Sequence, residues 1–311
     1  MQTDSFFVKI KTVLAEKQFL IKCTNANRSN NPEAVFADTV NLTLSNYSYR
    51  SQPLTAARLD SVNADKLYQI YQERFADASA FTFVFTGSID TATFIPLVAQ
   101  YLGALPAAGK KEFAKDLGTQ IPEGQISKTV YKGNDNKASV RLLYSGNYHF
   151  SRENNIQLSA LGAILQYRMI DRIRELEGGA YTPQAGVSYN KLPRNRYAVS
   201  IQFTCAPGSV DKLVTAANEE IEKIKTGGVT AEDVAKFTAE QTRSTETQMQ
   251  TNQFWRGYIT YALQNNEPVT GALHFNDLLK TVTPQTVQQA AKQYINSKNY
   301  IRLVLMPEPQ K

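Results

Sequence analysis

Apolar positions recur at helical spacing over 152–177, where Leu158, Leu161, Leu165, Met169, Ile173 and Leu176 form one stripe. The spacing predicts a single long helix from Arg152 to Glu177, ended by Gly178-Gly179 because glycine takes up the left-handed C-cap conformation without strain. Downstream the period falls to two. Tyr197, Val199, Ile201 and Phe203 alternate with Ala198, Ser200, Gln202 and Thr204, so a strand with one buried face is expected. A companion strand over 185–189 joins it through the turn Leu192-Pro193-Arg194-Asn195, and a short strand is expected at 140–144. Leu213, Val214, Ala217 and Ile221 restore the helical period over 210–224, which Gly227-Gly228 stops. Thr230 with an acid at Asp233 reads as a helix start, opening a long helix that runs past Trp255. Thr283-Pro284 opens the last helix and 301–305 is the final strand.

Part of this pattern occurs twice. Residues 62–85 fall opposite 282–305 without a gap, so that Val62, Asn63, Phe75, Phe81, Phe83 and Phe85 meet Val282, Thr283, Ile295, Ile301, Leu303 and Leu305. Shifted by one residue, 36–44 falls opposite 255–263. A period this long marks a duplicated domain, since solenoid repeats run to roughly 20–50 residues. The expected fold is α+β: an antiparallel or mixed sheet with helices on one face, present twice. The second copy occupies 121–311, 106–120 is a linker that the run Leu105-Pro106-Ala107-Ala108-Gly109 leads into, and 1–105 is the later half of the first copy. That later half is expected to hold helices over 6–19, 34–46, 64–75 and 91–102 and a strand over 81–85. With about 190 residues per copy, the first is expected to begin upstream of Met1, making the chain a fragment. The incomplete copy is expected to expose a sheet edge or helix face through which chains self-associate.

Composition narrows the classes. The chain is 42% hydrophobic and 20% charged, too apolar for disorder, and no apolar run approaches the ~18 residues of a membrane span. Residues 1–4 lack the basic and apolar regions of a signal peptide, an absence without weight if the start is a cut point. The net charge of +6 is uneven: 1–120 carry 12 basic and 11 acidic residues, 121–311 carry 22 and 17. Arg168, Arg172 and Arg174 crowd one helix, and Lys191, Arg194 and Arg196 one turn, an arrangement open both to an anionic partner and to a solvated surface. No nucleic-acid motif accompanies them, so nucleic acid is not an expected partner.

Candidate metal donors are sparse. Two histidines, His149 and His274, lie far apart and lack the spacing of a zinc pair, so no metal site is expected in this chain. His149 reads as a hydrogen-bonded loop residue and His274 as a residue at a helix start. Cys23 and Cys205 fall in different copies, and two cysteines make no disulfide framework; Cys205 reads as a buried free thiol.

The segments 81–90, 101–106 and above all 173–181, Ile-Arg-Glu-Leu-Glu-Gly-Gly-Ala-Tyr, resemble the C-terminal half of the pitrilysin (insulinase) family of zinc metallopeptidases, and are similar to mitochondrial processing peptidase-like domains. The resemblance implies four similar α+β domains whose two halves close around a peptide. It places the zinc, with its His-x-x-Glu-His motif, on an N-terminal half that this chain lacks. It also implies that Arg174 and Tyr181, seven positions apart, hold the peptide and assist its oxyanion, with no catalytic zinc chemistry in this chain. Other readings stay open: Arg174 pairing with Asp171 or Glu177 along the helix, and Tyr181 as a core aromatic. The implied partners are a peptide substrate and a zinc-bearing half, in the same polypeptide or a separate subunit; of compartments, the resemblance points to the periplasm. Two alternatives are a non-catalytic peptide-binding or core-subunit homologue, and a stand-alone anion-binding or peptide-binding module.

The missing ligand set gives a direct expectation. Purified chain holds no stoichiometric zinc after gel filtration and cleaves no peptide by itself. One tightly held zinc per chain, lost on changing His149 or His274, would reverse that reading.

Overall fold

The computed structural model describes residues 28–309 except Lys111, Ala114 and Gly179, together with Glu16, Ile21 and Lys22; the side chains of Leu176, Ala180 and Tyr181 are also outside the description. The expected helix over 6–19 and Cys23 lie outside the described residues. In the second half five strands form one sheet: β1 (Gln125–Tyr131), β2 (Ala138–Asn147), β3 (Ala180–Asn190), β4 (Arg196–Cys205) and β5 (Tyr300–Met306), in the spatial order β1-β5-β2-β4-β3. β1 runs parallel to β5 and the other neighbours are antiparallel, so the sheet is mixed. Tyr197, Val199, Ile201, Phe203 and Cys205 of β4 are all buried and their alternates are not, as the period of two requires.

Three helices cover that buried face: Arg152–Met169, Val210–Thr226 and Pro284–Tyr294, whose apolar stripes meet β2 and β4 around Leu158, Leu161, Leu165, Leu213, Ile221 and Val287. The helix 152–169 crosses β3 at Gly162, where a Cβ would stand 3.0 Å from Val187 Cγ1. A larger residue there would force the two elements apart.

Numbered in chain order, the described helices are α1 (Pro32–Leu44), α2 (Ala56–Asp60), α3 (Ala64–Phe75), α4 (Thr91–Tyr101), α5 (Arg152–Met169), α6 (Val210–Thr226), α7 (Ala231–Gln248), α8 (Asn252–Asn265), α9 (Phe275–Leu279) and α10 (Pro284–Tyr294). Three differences from the sequence reading have local causes. The expected helix 152–177 is α-helical to Met169 and π-helical over Ile170–Leu176. The expected helix from Thr230 past Trp255 is two helices, because 243–252 is a polar run without an apolar stripe and Thr251 caps a new start by accepting from the Phe254 N–H. The Trp255 indole N–H donates to the Met249 carbonyl at 2.7 Å and so occupies an acceptor freed by the break. β1 is a further strand, half-buried on alternate positions and with no fully buried residue.

The repeat is visible in the elements. α1, α2 and α3 stand at the positions of α8, α9 and α10 in the second half, and the caps agree: Asn31, Thr251, Asn63 and Thr283 each accept from the N–H three residues on. α1 buries its apolar residues on the other half. Phe36 and Val40 meet Leu143, Ile301, Leu303 and Leu305 on the second sheet face, opposite α5 and α10. Polar contacts fasten it at both ends, Glu33 accepting from the Ser139 hydroxyl at 3.0 Å and Lys128 donating to Thr43 Oγ1 at 3.3 Å. α8 does the converse: Arg256, Thr260 and Leu263 line a groove with 80–84, and Thr86 donates to the Asn252 carbonyl. α1 is thus buried on the second half's sheet, while the equivalent α8 borders an open groove beside 80–84. The segment 81–86, the counterpart of β5, is extended with Phe81, Phe83 and Phe85 exposed, and it pairs with no strand among the described residues.

The segment 106–110 is pinned by one carboxylate. Asp77 accepts from the N–H groups of Ala108 and Lys110 at 3.0 and 2.8 Å and from Ser79, whose hydroxyl and N–H hold it well below the usual carboxylate range.

Because α1 completes the second sheet's core, Phe36→Ala is expected to cost about 3–5 kcal/mol of that domain's stability. Hydrogen exchange checks it. Protection should fall in β5 and β2; loss confined to 28–105 would show that α1 contributes nothing to the sheet.

Candidate functional site

The end of α5 and the start of β3 concentrate the irregular backbone. Arg172 in the π-helical turn bridges Glu177 and Glu219, the latter at 3.0 Å, and Lys212 reaches the same Glu177 carboxylate at 2.7 Å. The Lys212 ammonium, and then Arg172, hold that carboxyl below its ordinary range. Glu177 thus fixes the chain before Gly178, whose φ of +59° is the left-handed turn that favours glycine. Two residues from Arg172, Arg174 points outward: its side chain is 58% exposed and meets the neighbouring Glu175 at 3.5 Å. The expected alternatives for Arg174 narrow accordingly, since Glu177 is occupied by Arg172 and Lys212.

Past the turn, Tyr181 pairs through its backbone with Thr204, while Gln184 pairs with Gln202. Three steps on β3 match two on β4, a β-bulge that keeps positions 181 and 184 in register with the same face of the sheet. Thr182 adopts φ +46°, a left-handed conformation uncommon outside glycine. The bulge has its own clamp: the Gln166 amide donates to the Pro183 carbonyl at 3.0 Å and accepts from the Ala185 N–H at 2.6 Å. In the sequence the only sign of Gln166 is an amide following the buried pair Ile164-Leu165.

The face shared by positions 181 and 184 borders α1. There a groove of about 310 Å³ opens between α1 and the strands, lined in part by Glu33, Arg141, Thr182, Gln184, Gln202 and Thr204.

The basic clusters are largely spent inside the molecule. Arg168 pairs with Asp233 at 2.6 Å, Lys191 donates to the Asn265 carbonyl, and Arg194 and Arg196 both donate to Gln120 in the linker. Nor do the donors fit a metal. His149 is exposed in a loop, His274 is exposed beside Asp277, and burial pushes the Cys205 thiol up to about 11, disfavouring the thiolate a metal needs. Among the described residues no three His, Cys, Asp or Glu converge.

The sequence matches the Peptidase M16 inactive domain family over residues 61–239, more than half of the chain. The chain belongs to that family. It is 26% identical over 309 residues to a zinc protease PQQL-like protein of Arabidopsis thaliana, covering 90% of this chain and 32% of that one. To the probable zinc protease PqqL of Escherichia coli (strain K12) it is 25% identical over 252 residues, covering 80% and 26%. The crystal structure of the periplasmic protease PqqL from Escherichia coli superposes with a TM-score of 0.84 at 22% identity, over 96% of this chain and 33% of that one. A peptidase M16 inactive domain from Pseudomonas fluorescens gives 0.76 at 15% identity, over 96% and 72%. This M16 inactive domain thus spans about a third of the length of the PqqL relatives, and the α+β fold is theirs.

The Gln166 clamp is open to test. Gln166→Leu keeps the bulk but strands two backbone groups, a loss of about 2 kcal/mol in stability. The Ala185 amide should lose most of its protection from hydrogen exchange; unchanged protection would show that the bulge holds without the clamp.

Proposed function

We propose that this chain is the substrate-binding half of a zinc metallopeptidase that hydrolyses peptides in a closed chamber, with the zinc held by another half. What supports this is the helix end at 170–182: it leaves Arg174 exposed while its neighbours lock the turn, and it sets Tyr181 on a bulged edge strand one glycine turn away. Both residues stand in the segment that resembles the pitrilysin family. An exposed guanidinium in a braced backbone binds a peptide carbonyl or carboxylate through a two-pronged contact. A phenol donates one hydrogen bond to an oxyanion as it develops and holds its own proton. Zinc, where bound, activates the attacking water. In the same proposal 1–105 and 121–311 are two related domains joined by the linker 106–120, and the protein works in the periplasm, as PqqL does.

The test assembles the chain with its zinc-bearing half. Tyr181→Phe removes one donor and should lower kcat, by up to on the order of 100-fold, with little change in KM. Arg174→Ala should lower kcat and raise KM. Zinc content should not change in either variant. Arg172 is unsuited as a silent control because it holds Glu177 and Glu219; Arg243→Ala, exposed on α7, serves instead. Full activity in Tyr181→Phe would overturn the assignment. Absence of a His-x-x-Glu-His motif from the other half would favour peptide capture without cleavage.

A further inference from the structure

Arg141 is the one charged residue in β2, set between Val140 and Leu142, which face the main core. The strand's alternation turns it to the opposite face, in register with Gln202 on β4 and Leu303 on β5, on the floor of the groove beside α1. A guanidinium offers five N–H donors, and the described partner of this one is the Gln202 amide oxygen. Gln202 in turn donates to Gln184. The acid that shares the groove, Glu33, is committed to Lys137 at 3.3 Å and to the Ser139 hydroxyl at 3.0 Å. Among the described ion pairs none neutralises Arg141. Burial lowers its pKa from the usual arginine value for want of such a partner, yet arginine stays charged at neutral pH. A half-buried cation held by one neutral amide is an unfavourable arrangement for the chain alone and a favourable one for a carboxylate, whose two oxygens match the guanidinium fork.

The position of the groove gives the ligand. Thr182, Gln184 and Thr204 line it; Thr182 follows Tyr181 in the chain, Thr204 pairs with its backbone, and Gln184 ends the same bulge. A peptide held at Arg174 and Tyr181 therefore passes its mouth, and about 310 Å³ suits one side chain or a chain end. We infer that the groove is a specificity subsite in which Arg141 receives a carboxylate of the bound peptide, from an acidic side chain or from the C-terminus. This rests on the substrate-binding reading above and adds the chemical class that it selects.

Fluorescence anisotropy on the whole chain tests it. The probes are labelled ten-residue peptides of neutral sequence, amidated at the C-terminus, with one glutamate walked along the chain and glutamine in its place as the reference. A further pair carries a free or an amidated C-terminus. At one position glutamate should bind about tenfold more tightly than glutamine, or the free C-terminus should bind about tenfold more tightly than the amide; which pair responds identifies the source. Arg141→Gln should remove the preference. So should Gln202→Glu, which leaves Arg141 in place and gives it an internal carboxylate; this second variant keeps the test decisive should the first fold poorly. Arg174→Ala should weaken all peptides and leave the ratio intact. Peptides that bind with no carboxylate preference, or a preference that survives both variants, would overturn the subsite and leave the substrate-binding reading standing. Failure of every peptide to bind would overturn both.

Discussion

Burial of β5 and β2 on both faces is the constraint on which the rest of this molecule depends. One face receives α5, α6 and α10; the other receives Phe36 and Val40 of α1, a helix that precedes the sheet by some ninety residues of chain. A sheet with both faces covered needs apolar residues at consecutive positions, and Leu142-Leu143 and Leu303-Val304-Leu305 meet that need. The cost is topological: the outer face of the second sheet is closed by a helix from the first half. Asp77 on 106–110 and Arg194 and Arg196 on Gln120 hold the intervening linker against both.

That rigid platform carries a deliberately irregular edge. A π-helical turn, a left-handed glycine, a left-handed threonine and a β-bulge follow one another between Ile170 and Gln184. Such features persist only where the surroundings over-determine them. Here Arg172 and Lys212 secure Glu177 before the turn, and Gln166 secures Pro183 and Ala185 after it. Arg174 and Tyr181 stand between these anchors. The shape of this strained segment is maintained by the anchors rather than by local propensity.

The excess of positive charge in the second half takes on a different meaning once partners are assigned. Arg168, Arg172 and Arg194 are structural, each paired with an acid distant in sequence. Arg141 and Arg174 stand apart, one over a neutral amide and one beside its own neighbour in sequence. Both border the bulged end of β3. Net charge at the level of composition therefore says little about ligand binding, whereas the partners of individual guanidinium groups say a good deal.

Periodicity made much of this legible beforehand. The alternation in β4, the stripe of α5, the caps at Thr230 and Thr283 and the internal repeat are local or strictly periodic, so they survive in one dimension, and the α+β fold followed from them; the family rested on the resemblance of 81–90, 101–106 and 173–181. What the sequence by itself could not determine was long-range: that α1 would cross to the other half's sheet, that a polar run would split α7 from α8, and that Gln166 would bridge a bulge nineteen residues downstream at Ala185. The same holds for the ion pairs that separate Arg172 from Arg174, two residues of one kind in one turn. Secondary structure is set by neighbours along the chain, but whether a charge is spent or free is set by neighbours in space, and only the tertiary structure chose those.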